Sequence, residues 1–216
     1  MSARMNWSLN ELEAMCRKAA RGAGYSWGLA EEAGKATRWL AAAGLPGPAC
    51  LLHLLEAVDS RDFAGFTPII TDTTCTASQG FLCPLLTGAA LCDGALGPLS
   101  SQGLRLMNLS SPLLLLPFVV TAFETAQLRW TRVQLSVDQG MVSRDGAVLD
   151  LACVQTDFAV LEPIAAAGGR PLAVQTRAIL AADTCTRLAA FAHRTFAPAT
   201  EASRLAGAGA GLSDND

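Results

Sequence analysis

The chain has 216 residues, of which 51% are hydrophobic and only 16% charged, with a formal net charge of −3. That balance excludes a disordered chain, which needs low hydrophobicity and high net charge. The Lys and Arg residues are spread along the chain without a basic block, which excludes the electrostatic footprint of a nucleic-acid binder.

A single unit of this size buries roughly 70% of its unfolded surface, so there is material for a large core. Met1 to Asn10 is polar, with no apolar targeting segment or small-residue cleavage site. The strongest apolar run, Pro112 to Ala122, falls well short of the ~20 residues that span a bilayer. A cytoplasmic protein with no membrane contact is expected. Cys16, Cys50, Cys75, Cys83, Cys92, Cys153 and Cys185 make an odd set and read as reduced thiols, several of them small core residues, rather than a disulfide framework. Only two of the sixteen basic residues are Lys, and Ala is abundant, which fits a GC-rich bacterial source.

Ser8-Leu-Asn-Glu11 has capping-box spacing, so a helix starts there. Leu9, Leu12, Cys16 and Ala19 or Ala20 recur at steps of three and four, and Gly22 and Gly24 end the run. A second helix is predicted from Ser26, its N-cap, to about Ala43, with Glu31 and Lys35 as an i,i+4 pair and Gly44 and Pro46 as stops. Gly28, Ala30, Ala33, Gly34 and Ala36 give this helix little side-chain volume. Each mid-helix glycine costs roughly 1 kcal/mol against alanine, which points to close approach of a neighbour. A third helix, Cys50 to Val58, has Pro48 in its first turn and contains His53.

From 59 to 110 no sustained period appears, apart from a short strand pattern at Phe66 to Thr71. Ser110-Ser111-Pro112 signals a helix start, Pro117 kinks or restarts that helix, and Glu124 to Gln127 closes it. Trp130 to Val137 alternates as a half-buried strand, with Val133, Leu135 and Val137 on one side. Asp138-Gln139-Gly140 is a turn, and Asp145-Gly146, between Met141-Val142 and Val148-Leu149, is a hairpin signal. Phe158 to Ile164 and Pro171 to Val174 are further strands. Connections this short imply an antiparallel meander. A last helix is capped by Asp183, buries Leu188 and Phe191, and ends at Pro198.

Candidate chemistry is sparse. His53 and His193 stand alone, with no Cys-x-x-Cys or His-x-x-x-His spacing, so neither a metal site nor a cofactor is expected. His53 reads as a partly buried, hydrogen-bonded side chain, and His193 as a helix-end residue complementing the dipole. Gly207, Gly209 and Gly211 lack the spacing, preceding strand and following helix of a dinucleotide loop. Cys83, just before Pro84 at a possible helix start, is the candidate nucleophile, because a helix N-terminus stabilises a thiolate. His193 and Asp93 are its candidate partners, and Cys75 and Cys92 flank it. The bland reading of Cys83 is a buried apolar thiol. In the last segment Thr200, Glu201, Ser203 and Arg204 could grip a carboxylate or amine, Arg204 by its bidentate fork. The opposing reading is a solvated C-terminus.

Ser8 to Glu13 with Lys18 to Ala33, and Pro198 to Arg204 with Gly207 to Asp216, resemble an uncharacterised family of small proteobacterial proteins, a domain of unknown function. The resemblance implies no activity; it implies that both ends belong to the folded unit. The helical hairpin is also faintly similar to the N-terminal helices of a malate/lactate-type dehydrogenase family, but that family's Gly-His-Asp-Ser-His element is missing, so no function is carried over.

The expected architecture is α+β, an N-terminal helical hairpin plus further helices packed on a small antiparallel sheet. It forms one unit over 1–216, with a helical part at 8–58, an irregular centre at 59–110, a helix and sheet part at 111–198 and a C-terminal segment at 199–216. The expected function is a small-molecule enzyme of carboxylate or amino-acid chemistry, its site formed by the C-terminal segment against the N-terminal turn. Cys83, His193 and Glu201 would be catalytic, and Arg204, Ser203, Thr200, Arg21 and Trp27 would bind substrate. The alternative is a non-enzymatic binding or assembly subunit that meets a partner protein or a second copy through its small-residue helix and apolar surface.

Overall fold

The computed structural model describes residues 4–95, 99–145, 151–152, 154–166 and 168–196. Strand β1 (Arg4–Ser8) runs directly into helix α1 (Leu9–Gly22), and the junction is the predicted capping box: the Ser8 side chain accepts from the Glu11 N–H, and Glu11 accepts from the Ser8 N–H. The Ser8 hydroxyl, and after it the Ser8 N–H, donate to the Glu11 carboxylate and hold it below its ordinary pKa. Helix α2 (Trp27–Ala42) starts at the Ser26 cap, and α3 (Gly47–Val58) has Pro48 in its first turn. The ion pair on α2 is Lys35 with Glu32 at 2.7 Å, rather than with Glu31. Three- and four-residue spacings both bring side chains together on a helix, so the sequence offered two partners.

Gly34 is the close contact on α2, since a Cβ there would lie 2.9 Å from the Glu13 carbonyl of α1. Gly28 has nothing within 4 Å of its missing Cβ. On the other side of α1, a Cβ on Gly22 would lie 1.9 Å from the Phe191 carbonyl of α6 (Ala182–His193). Helix α1 is therefore held between α2 and α6 by backbone-level contacts at two glycines. Helix α6 begins after Ala181 with no side-chain cap; Asp183 sits in its first turn and accepts from Arg187 at 3.3 Å instead of capping.

Within 59–110 the chain forms β2 (Pro68–Thr71), β3 (Thr74–Ala77), α4 (Pro84–Cys92) and β4 (Leu104–Ser110), together with a 3-10 turn at Phe63–Phe66. A second 3-10 turn at Pro112–Leu115 leads into α5 (Leu116–Ala122), so the apolar run restarts around Pro117. The stretch read as the end of that helix belongs to β5 (Thr125–Trp130), and the alternating residues Val133, Leu135 and Val137 lie in β6 (Val133–Asp138). Gln139 and Gly140, both at positive φ, turn β6 into β7 (Met141–Asp145), the backbone of a two-residue hairpin. The hairpin signal at Gly146 to Leu149 lies outside the described residues. Strands β8 (Gln155–Glu162), β9 (Arg170–Pro171) and β10 (Arg177–Ala181) complete the set.

The class is α+β. The main sheet is larger than a meander: eight strands in the order β2-β3-β4-β8-β5-β6-β7-β9, antiparallel except for the β3–β4 pair. The run β5-β6-β7 is the predicted meander. Helices α4 and α5 cover this sheet, and Leu113, Leu114, Leu115 and Leu116 are fully buried between helices and strands. Strands β1 and β10 form a separate antiparallel ribbon, with Arg4 opposite Ala181 and Ser8 opposite Arg177. Among the described residues no helix is long and apolar enough to cross a membrane.

The two α2 glycines differ in what they touch, so their alanine variants diverge. Gly34→Ala overpacks the α1–α2 contact and should lower stability by about 1–3 kcal/mol. Gly28→Ala gains helix propensity with no clash and should raise it by up to ~1 kcal/mol. Thermal or urea unfolding of both variants decides the point, and equal signs would show that α1 and α2 do not meet at Gly34.

Candidate functional site

Among the described residues strand β10 has one paired neighbour, β1. The Gln175 N–H donates to the Ala42 carbonyl at 2.6 Å, tying the lead into β10 to the end of α2. Gly44, at φ +71°, reverses the chain there. Gly47 is packed so tightly that a Cβ would lie 2.7 Å from the Leu40 Cβ, which sets the Leu45 to Pro48 loop firmly on α2. Between this loop and β10 lies a cleft of about 1260 Å³. All five residues of β10 line it, including the buried Ala178 and Leu180, so it is the edge of the strand that faces the cleft.

The opposite wall is Leu45, Pro46, Pro48 and Ala49, and Arg4, Gln175, Arg177 and Thr184 supply the polar groups. The Arg177 Nε donates to Asn6 Oδ1 at 2.7 Å. Among the described residues neither Arg4 nor Arg177 is in an ion pair, and the described lining contains no Asp, Glu, His or Cys. Glu11 feels the charge of Arg177 from its place in the α1 cap. The cleft thus presents apolar walls under two guanidinium groups.

The residues singled out in the sequence lie elsewhere. Arg21, in the last turn of α1, donates to the Tyr25 carbonyl at 2.8 Å and stacks its guanidinium 5.1 Å from the Trp27 ring centre. Trp27 is 60% exposed. The Tyr25 hydroxyl, in turn, shares a 3.2 Å hydrogen bond with Cys83 Sγ, so Trp27, Arg21 and Cys83 are joined through the buried Tyr25. Tyr25 packs edge-on against Phe63, and Phe63, Phe66 and Phe81 continue the aromatic contact.

Cys83 is the residue before α4, as its spacing to Pro84 implied, and the Leu85 and Leu86 N–H groups face its sulfur. Burial outweighs them and pushes the thiol up, so it is held protonated. Burial also pushes the Tyr25 phenol well up. Asp93 stands at the other end of α4, and His193 is exposed on α6, its ring edge-on to Phe196 at 5.4 Å, whereas the side chain that hydrogen-bonds Cys83 is Tyr25. Lys18 lies 5.3 Å from the Phe196 ring centre. His53 is exposed on α3 rather than partly buried, since Leu52 and Leu54 take the inner positions. Cys75 is buried and Cys92 exposed. Thr200, Glu201, Ser203 and Arg204 lie outside the described residues. No group of three or more His, Cys, Asp or Glu side chains is placed to hold a metal among the described residues.

Fold and site together define an α+β protein with a cationic, apolar-walled cleft at the edge of a two-stranded ribbon. Residues 7–80 match the family described as Protein of unknown function (DUF3726). That span takes in α1 to α3 and so contains both the Arg21–Trp27 turn and one wall of the cleft. The Pro198 to Asp216 ending, the other half of the resemblance seen in the sequence, is beyond it. No curated protein and no solved structure matches the chain.

The thiols should separate by access. Under native conditions near pH 8, iodoacetamide is expected to label the exposed Cys92 at least tenfold faster than Cys83, because reaction needs an accessible thiolate. Mass-spectrometric labelling rates measure this, and faster labelling of Cys83 would restore it as a nucleophile.

Proposed function

We propose that the protein binds a carboxylate-bearing ligand, in the simplest case an organic acid or an amino acid, in the cleft between β10 and the α2–α3 loop. The observation that carries this reading is the pair Arg4 and Arg177 on a cleft whose described lining has no acidic side chain. Arginine forks bind carboxylates through two parallel hydrogen bonds, and such charge-assisted bonds are the strong ones. Gln175 and Thr184 add neutral donors, while the alanine, leucine and proline walls favour an apolar ligand body. With no thiol, imidazole or carboxylate in the described lining, the chemistry favours recognition over catalysis.

A second reading keeps an enzymatic site at the α1–α2 turn, with the C-terminal segment supplying Thr200, Glu201, Ser203 and Arg204 beside Arg21 and Trp27. It is favoured by the position of Phe196, the last described residue, against Lys18, one turn before Arg21.

A thermal-shift screen with carboxylates, amino acids, phosphates and nucleotides tests both. Saturation at a hundredfold excess over Kd adds ~2.7 kcal/mol, or roughly 5–10 °C for a chain of this size. The first reading expects carboxylates to give the shift, Arg4→Ala with Arg177→Ala to remove it, and the exposed control Arg129→Ala to keep it. No shift with any anion would sink it.

Truncation after Phe196 separates the two readings. The cleft reading expects the shift to survive, whereas loss on truncation with retention in the Arg4/Arg177 variant would transfer the site to the turn.

A further inference from the structure

We infer that the cleft takes its carboxylates on an extended peptide, which adds as a third strand to the free edge of β10; this rests on the reading of the cleft as a carboxylate site. Strand β10 has one backbone partner among the described residues, β1, and no other strand is paired with Arg177–Ala181. An unpaired edge offers a row of N–H and C=O groups that an incoming strand can satisfy. The facing loop cannot satisfy them well, because Pro46 and Pro48 have no N–H to give.

Dimensions agree with a strand. Five residues of β10 run roughly 17 Å at about 3.3 Å per residue. A cleft of about 1260 Å³ spread over that length has a cross-section of roughly 75 Å², against roughly 50 Å² for one strand at 4.8 by 10 Å spacing. The same volume exceeds the roughly 300–1000 Å³ of ordinary small-molecule pockets.

Register then defines the peptide. Arg177, Ile179 and Ala181 point to one face of the ribbon, and Arg4 stands opposite Ala181 on that same face. Arg4 lines the cleft although its own strand lies beyond β10, and the small side chain of Ala181 leaves the passage open. The two cations are thus four residues apart along β10, about 13 Å. Between them Ile179 is 68% exposed. Side chains of an added strand alternate with period two, so its residues i and i+4 fall in register with Arg177 and with the Ala181–Arg4 pair, and residue i+2 with Ile179. The Arg177 guanidinium donates to Asn6 of β1 from Nε and Nη2 and keeps Nη1 for residue i. The ligand is an acid, any residue, an apolar residue, any residue, an acid. The pattern reads the same in both chain directions, so it holds for parallel and antiparallel addition.

The probe is a fluorescein-labelled Gly-Glu-Ala-Val-Ala-Glu-Gly peptide with blocked ends, titrated by anisotropy into the full chain. Comparison peptides place the two Glu residues side by side, or carry N-methyl groups on one or the other alternate set of amides. Expected results are binding at least tenfold tighter than the side-by-side isomer, and a tenfold loss on methylating one amide set with little change for the other. Arg4→Glu with Arg177→Glu, whose fold is checked by thermal melting, should instead prefer the peptide with Lys in place of both Glu residues. If glutarate and all the Glu peptides bind alike and depend on the two arginines, strand addition is overturned while the carboxylate cleft stands. If neither glutarate nor any peptide binds, or binding ignores both arginines, the cleft reading falls and takes the inference with it.

Discussion

The close passage of α1 between α2 and α6 is the constraint on which the rest of the arrangement depends. At Gly34 and Gly22 the neighbouring carbonyls of Glu13 and Phe191 occupy the space that a Cβ would need. Glycine inside a helix costs roughly 1 kcal/mol, and that cost is met only where the approach gains dispersion contacts along both backbones. Because β1 leads directly into α1 and β10 directly into α6, pressing these helices together brings two strands from opposite ends of the described chain side by side. The ribbon, and hence the cleft along its edge, follows from helix packing rather than from any attraction between the strands alone. An isolated two-stranded ribbon is marginal in water, and here Ala178 and Leu180 are buried beneath it.

Polar contacts fix the ends of this stack without dominating its energy. Arg187 bonds Glu56, and Arg194 pairs with Asp59 through two hydrogen bonds of 2.6 and 3.0 Å, so the middle and the C-terminal end of α6 are tied to the C-terminal end of α3. The Arg194 bonds hold the Asp59 carboxyl below its usual range. A depressed carboxyl pKa stabilises the fold above the ordinary carboxylate range and loses that contribution as pH falls through the native value. The groups are largely exposed, so solvent screening keeps each pair small.

The helical hairpin was legible because its signals are local: the Ser8–Glu11 capping box, the Ser26 cap and the Pro48 first turn each involve residues within one turn. The small-residue face of α2 was also legible as a contact surface, although only Gly34 of its two glycines makes the contact. Strand β1 was hidden because its five residues alternate weakly and its partners lie 169 to 177 positions away. Helix α4 was hidden for the opposite reason: Leu85, Thr87, Gly88 and Leu91 are buried around it, so no polar face produces a period. The Cys83–Pro84 spacing correctly placed a helix start, but the sequence could not show that Tyr25, rather than a histidine, would meet the thiol. The cleft left no motif at all, since it consists of a strand edge, a proline loop and two arginines that come to one ribbon only through the α1–α6 contact.

The two polar features of the fold therefore divide by environment. Tyr25 and Cys83 are both buried, burial pushes both of their pKa values up, and the hydrogen bond between them links the α1–α2 turn to the start of α4. Arg4 and Arg177 are exposed, so any ligand that covers them must offset the cost of desolvating them. The facing wall packs closely on α2, because a Cβ on Gly47 would lie 2.7 Å from the Leu40 Cβ and 3.0 Å from the Thr37 carbonyl, and Pro46 and Pro48 in that wall have no N–H to donate. Among the described residues β10 is paired only with β1, so the cleft is bounded by the outer side of a strand and by a loop packed on α2.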